Sequence, residues 1–261
     1  MLKKYFKVWL IFAINSFQTQ LNLRWTMLVF LIGKMIRFAM FAFFVFILLS
    51  NTKALAGYNL NETLLFYLSF NLVDMLSQLI FREVYRFRYA VVTGTFDFYL
   101  IKPYNPLFRA LTSGPDLIDL VTLVPLLGAI VYLFNQLPQI TALSIFVYIF
   151  LIFTALIIAT SFHILVLSLA ILTTEIDSAI LMYRDIAGMG RFPVDIYKEP
   201  FRSVLTFLIP VGIMMSFPVK AVLGILSVTN IAYSLIFSIT LFYFSLLVWN
   251  FALRRYSSAS S

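Results

Sequence analysis

The chain has 261 residues, 62% of them hydrophobic and only 11% charged, with a mean hydropathy of +0.98. Soluble domains carry about 25% charged residues, so a water-soluble globule is excluded, and the absence of cysteine excludes disulfides and thiolate chemistry. The net charge of +8 reads as basic residues marking the cytoplasmic side of a membrane; no basic-aromatic patch outside the apolar segments points to nucleic acid.

The opening "MLKKYFKVWLIFAINSF" places Lys3, Lys4 and Lys7 before an apolar run, lacks a small-residue cleavage site and gives way to the polar stretch Gln18 to Arg24. Residues 1–24 are expected as a helix in the membrane interface, lysines toward headgroups and Leu2, Phe6, Trp9 and Ala13 toward acyl chains. A signal peptide is the competing reading. Six apolar runs follow, most reaching the roughly 20 residues that cross about 30 Å of hydrocarbon: Trp25–Leu49, Glu62–Phe81, Leu117–Phe134, Ile140–Leu172, Ser203–Phe217 and Asn230–Leu253. The short alternating segments of an outer-membrane barrel do not appear. The expected fold is an all-α polytopic membrane protein, one transmembrane domain over residues 1–261.

With the N-terminus inside, the cytoplasm receives Arg82, Arg86, Arg88, Lys102 and Arg109 between spans two and three. It also receives Arg184, Arg191, Lys198 and Arg202 between spans four and five, and Arg254 and Arg255 after span six. The outer side receives only Lys53 and Lys220, so the positive-inside rule places both termini in the cytoplasm.

Catalytic chemistry finds no support. The single histidine, His163, has no carboxylate neighbours to build a metal site and reads as a helix-packing residue. "TSGPD" at Thr112 to Asp116 is no nucleophile elbow, and no G-x-x-x-x-G-K-[ST] loop for ATP occurs. No catalytic residue, metal or cofactor is expected in this chain. Three charges fall near the middle of spans: Lys34 and Arg37, three apart on one helix face, and Asp74. They are expected as a structural ion pair of Asp74 with Arg37 or Lys34, a substrate or coupling role being the alternative.

The stretch from Gly94 to Leu111, "GTFDFYLIKPYNPLFRAL", differs from its surroundings. Pro103 and Pro106 forbid a continuous helix, and Asp97, Lys102, Asn105 and Arg109 keep it out of lipid. It resembles the loop between spans two and three in ABC-2-type permeases, the membrane subunits of a class of ATP-binding-cassette transporters, and in particular a bacterial subgroup with a G-x-[LF]-D-[FY]-x-L-x-K-P-x-N-P-L-F pattern. "FPVDIYKEPFRSVLTFLIPVGIMMSFP", with Pro193, Tyr197, Arg202, Pro210 and Pro218, resembles the same subgroup's approach to span five.

The resemblance implies a permease of an ATP-driven exporter in the bacterial cytoplasmic membrane. Residues 82–116 would hold a coupling helix that docks on a separate ATPase subunit through Asp97, Phe98, Tyr99, Lys102, Pro103, Asn105, Pro106, Phe108 and Arg109. ATP and magnesium would belong to that partner. A second permease, identical or similar, would complete a pathway near spans two and five, where Ser69, Asn71, Ser77, Gln78, Thr206, Pro210 and Ser216 are the candidates. Residues 218–229 would form an outer re-entrant segment, and lipids the remaining partners. A membrane scaffold or receptor subunit and a secondary transporter are the alternative functions. The substrate is not legible, because the aromatic content fits lipid-facing bulk as well as aromatic cargo.

Overall fold

The structure is a computed structural model that describes residues 2–52, 54–173 and 177–257. Lys53 and the side chain of Leu2, both given roles above, lie outside the described residues and side chains. Among them the architecture is helical: α1 (Leu2–Asn22), α2 (Arg24–Thr52), α3 (Leu60–Phe81), α4 (Phe87–Val92), α5 (Asp97–Leu100), α6 (Pro106–Thr112), α7 (Leu117–Gln136), α8 (Ala142–Thr173), α9 (Asp177–Gly188), α10 (Phe201–Ser203), α11 (Phe217–Val222) and α12 (Val228–Arg255). The sequence specifies the starts. Asn59 opens α3 with a capping box, its Oδ1 accepting from the Glu62 amide at 3.0 Å while a Glu62 carboxylate oxygen accepts from the Asn59 amide at 2.9 Å. Asn105, Asp116 and Ser227 cap α6, α7 and α12 in the same spirit.

α2, α3 with its continuation to Val92, α7, α8 and α12 are long and apolar enough to cross a membrane. The chain is an all-α polytopic membrane protein. Two apolar clusters stack along α8. One joins Tyr148–Ala159 to α3, α7 and residues 211–223; the other joins Ile164–Ile171 to Phe87, Phe96, Tyr99 and Trp249. α12 lies along α8 through Ser234, Ser238 and Ser245, all buried, whose hydroxyls donate back to carbonyls three residues earlier. Small residues that satisfy themselves allow close helix approach where lipid supplies no hydrophobic drive.

The second cluster, α1 and the end of α12 define one face of the molecule, the α1 face. The 54–59 turn, Gln139, which donates to Glu62 at 3.4 Å, and Asp195 define the far face.

The return from the α1 face to the far face corrects the sequence reading. It is made by residues 177–196, not by the expected fifth span Ser203–Phe217. Ile180 belongs to the α1-face cluster, the Arg184 guanidinium lies 5.8 Å from the Tyr85 ring, and that of Arg191 lies 5.6 Å from the Phe70 ring. Asp195 finally accepts from the Tyr58 hydroxyl at 3.0 Å. As the chain rises from 180 to 195 its partners along α3 fall from Tyr85 to Tyr58, so this passage runs antiparallel to α3.

Phe201–Leu208 and Gly212–Val222 then meet at 79° around Pro210 and remain toward the far face. Lys220 pairs with Asp195 at 2.8 Å, the Val194 amide donates to the Ser216 hydroxyl at 3.1 Å, and the Phe207 and Tyr233 rings are 5.5 Å apart. The bent element is therefore 201–222, earlier than the expected 218–229. The physical reason is that Arg184, Asp185 and Arg191 lower the hydropathy of the real passage, whereas 203–217 reads as apolar although only 210–217 is buried throughout and Phe207 and Leu208 stay exposed. Gly190 permits that packing: a Cβ there would meet Met215 Cγ at 2.5 Å. Lys198 and Arg202 consequently move to the far face.

Candidate functional site

The α1-face element is built around a turn at Gly94, whose φ of +73° suits a residue without Cβ. Closing that turn, the Phe96 amide donates to the Ala90 carbonyl at 2.8 Å and buries the Phe96 ring against Phe87, Tyr256 and Trp249. Tyr99 is buried on the same side, with the Arg109 guanidinium 4.0 Å above its ring. Burial raises the Tyr99 pKa. Arg109 also donates to the Tyr104 hydroxyl at 2.6 Å. Asn105 accepts from the Leu107 amide at 2.8 Å, with Pro106 at the first helical position.

α1 clasps this element from the side. Lys4 donates to the Pro103 carbonyl at 2.8 Å, the Asn105 amide donates to the Tyr5 hydroxyl at 3.3 Å, and the Tyr5 ring meets Phe108 edge-on at 4.9 Å. Ser16 and Gln20 both donate to the Pro115 carbonyl, and Gln20 accepts from the Leu117 amide at 2.9 Å. Ala13, expected to face acyl chains, is buried; Phe6 is exposed as expected.

The residues expected at the docking surface thus divide. Phe98, 59% exposed, together with Lys102 and Pro103 point outward. Tyr99, Phe108 and Arg109 are spent on internal contacts, and Asp97 accepts from the Tyr256 hydroxyl. The outward apolar set includes Leu100 and Ile101, the latter 73% exposed. Sequence reasoning missed both, since nothing in "FYLIK" says which of its apolar residues point out.

The second feature is a charged cleft of about 760 Å³ opening between α2, α3 and α7. Lys34 pairs with Asp119 rather than with Asp74, because Asp119, in the first turn of α7, faces α2 at that level. Arg82 lies 3.5 Å from Asp116. Along α3, Arg82 donates to Gln78 at 2.9 Å, and Gln78 donates to both Asp74 oxygens at 3.2 Å. Asp74 and Arg37 thus make no ion pair among the described residues. Beyond them the cleft continues into a cavity of about 110 Å³ lined by Arg37, Tyr67, Phe70, Asn71, Arg184 and Arg191.

Of the pathway candidates, Asn71 lines the cavity and Gln78 the cleft, and the two spaces share Arg37, Asp74 and Arg184 in their walls. Ser77 borders a narrow pocket beside it with His163 and Tyr183. Ser69 bonds Tyr148 at 2.9 Å, Thr206 donates to the Arg202 carbonyl, and the Ser216 hydroxyl accepts from the Val194 amide; all three are buried away from the cleft and cavity linings. Pro210 sits at the bend. His163 contacts the Ala159 carbonyl through Nδ1 at 2.7 Å and packs on Phe81 and Tyr183. No metal-binding group of acidic or histidine side chains occurs among the described residues.

Comparison with curated proteins and with solved structures gives no match. A family profile described as "ABC-2 family transporter protein" matches residues 35–260, taking in the turn around Gly94, the bent element and the part of the cleft lining that follows Lys34. The chain therefore belongs to the ABC-2 transporter family, as a multi-pass membrane permease component of an ABC transporter.

Proposed function

We propose that this permease is the pathway-forming subunit of an ATP-driven exporter, coupled through its α1-face turn to separate ATPase subunits carrying ATP and magnesium, and completed by a second permease. The observation that supports this most is the outward set Phe98, Leu100, Ile101 and Lys102, held on a turn fixed by Gly94, Pro103 and the α1 clasp. A rigid frame that presents apolar anchors beside a cation suits docking, since little ordering entropy is lost on binding. The α1 face is assigned to the cytoplasm: it carries Lys3, Lys4, Lys7, Arg82, Arg86, Arg88, Lys102, Arg254 and Arg255, against Lys198, Arg202 and Lys220 on the far face. The host membrane is the bacterial cytoplasmic membrane.

The test is copurification with the cognate ATPase and ATP hydrolysis in lipid. Phe98→Ala with Ile101→Ala should abolish association without changing membrane insertion. Pro103→Ala with Pro106→Ala should leave the complex assembled but reduce substrate-stimulated hydrolysis. If both double variants assemble and hydrolyse as the parent does, the turn is not the coupling element.

A further inference from the structure

Charge is matched over most of the cleft and unmatched at its inner end. Lys34 has Asp119, Arg82 has Asp116, and Arg86 has Glu83 at 3.9 Å. Arg37, Arg184 and Arg191 share the inner cavity with one carboxylate, Asp74, which is already engaged by Gln78. None of the three guanidiniums forms an ion pair among the described residues. Each does have a ring nearby, Phe38 at 5.6 Å for Arg37, Tyr85 for Arg184 and Phe70 for Arg191, which holds the cation without neutralising it.

Depth makes the imbalance consequential. Arg37 stands midway along α2, and Arg191 lies beside Phe70 in the middle of α3. Charged side chains at such depth are costly and ordinarily pair with one another or face a water-filled cavity. Three arginines lining one cavity with Asn71 and Tyr67 suit a planar or tetrahedral oxyanion, which guanidinium recognises in bidentate fashion. The cavity has room for such a group with a few waters, each occupying about 30 Å³ as liquid. The exposed apolar wall next to it, Gly33, Ile36, Met40, Phe41 and Phe44 on α2, suits a hydrocarbon chain.

We propose that Arg37, Arg184 and Arg191 form a binding site for a single phosphate or carboxylate group carried by an amphipathic molecule. As a statement about cargo this rests on the transport reading above; as a statement about binding it does not, and it can be tested without any ATPase.

The experiment uses the full chain in phosphatidylcholine nanodiscs and displacement of labelled dodecyl phosphate. Unlabelled dodecyl phosphate and dodecanoate should compete, and dodecyltrimethylammonium should not. Arg184→Gln and Arg191→Gln should each weaken binding about tenfold or more, as expected for loss of a charged hydrogen-bond partner. Arg255→Gln should leave it unchanged. Asp74→Asn should tighten it by removing the competing carboxylate, a gain that a misfolded variant cannot produce, and Arg191→Lys should retain part of it. Competition by inorganic phosphate would identify a free anion as ligand, and its failure a headgroup that needs its tail; either supports the site. Equal competition by the cation, or undiminished binding by the Arg184→Gln/Arg191→Gln double variant, overturns it. Binding without ATP-driven movement would sink the transport reading and leave the site standing. Movement without preference for anions would do the reverse.

Discussion

The Tyr256 hydroxyl donates to Asp97 Oδ1 at 2.9 Å, so the end of the last membrane helix is tied to the turn that carries the outward apolar residues. The Tyr256 ring also meets Phe96 edge-on at 5.0 Å. Movement of α12 would therefore reach α5 directly, through the Tyr256 and Trp249 rings on Phe96 and the bond to Asp97.

Tyr256→Phe keeps the ring and removes the bond. Amide exchange over residues 96–100 should quicken while insertion and the α1 clasp persist. Burial first, then the bond to Asp97 and its charge, push the Tyr256 hydroxyl up to about 12. Because the folded value lies above the ordinary 10, the stabilisation is complete below pH 10 and lost as pH rises to about 12. After division by the hydroxide-catalysed intrinsic rate, the protection of these amides in the parent should fall across that window, and in Tyr256→Phe it should stay level. Equal pH profiles would show that the bond carries no weight.

The Lys34–Asp119 pair predicts strong non-additivity. Lys34→Met leaves a lone carboxylate in a largely buried setting, which costs about 3–5 kcal/mol in buried pairs. Adding Asp119→Leu should recover most of that, since an apolar replacement of both partners is often neutral. Asp74→Asn should not rescue Lys34→Met, as the two never meet. Thermal stability in lipid of the four variants checks both statements; additive losses from Lys34→Met and Asp119→Leu would argue against the pairing.

Phe98 and Tyr99 are neighbours in sequence with opposite assignments. Tyr99→Ala removes a buried ring beneath Arg109 and should cost stability on the scale of about 3–5 kcal/mol for buried aromatics. Phe98→Ala should leave stability unchanged and weaken ATPase association by about 2 kcal/mol if it is a docking anchor. Parallel melting and copurification measurements separate the two; loss of stability in Phe98→Ala would mean that its exposure is not real in lipid.

The apolar runs made five of the membrane passages legible, because long apolar stretches such as the 32 residues of Ala142–Thr173 have no other physical outlet. Prolines and Asn105 likewise revealed the turn between spans two and three. What stayed hidden is relational. The choice of Asp119 over Asp74 for Lys34 depends on how α7 leans on α2, and the inward fate of Phe108 and Arg109 depends on Tyr5 and Phe12 of α1, far away in sequence. The passage at 177–196 escaped because its charges belong to a cavity, and hydropathy cannot distinguish a charged residue facing a cavity from one in water.

That passage yields the sharpest test. The chain has no cysteine, so single-cysteine variants report cleanly. Asn105→Cys, beside the α1 clasp, and Lys198→Cys, three residues beyond the Asp195 that meets Tyr58 and Lys220, lie on opposite faces in the structure. Hydropathy alone would put both in the cytoplasm. A membrane-impermeant maleimide added to whole cells should label Lys198→Cys and spare Asn105→Cys, and permeabilisation should expose the second. Protection of Lys198→Cys in intact cells, with labelling after permeabilisation, would return 177–196 to the cytoplasm. It would also dissolve the intramembrane arginine cluster, because Arg191 reaches the depth of Phe70 only if this segment crosses.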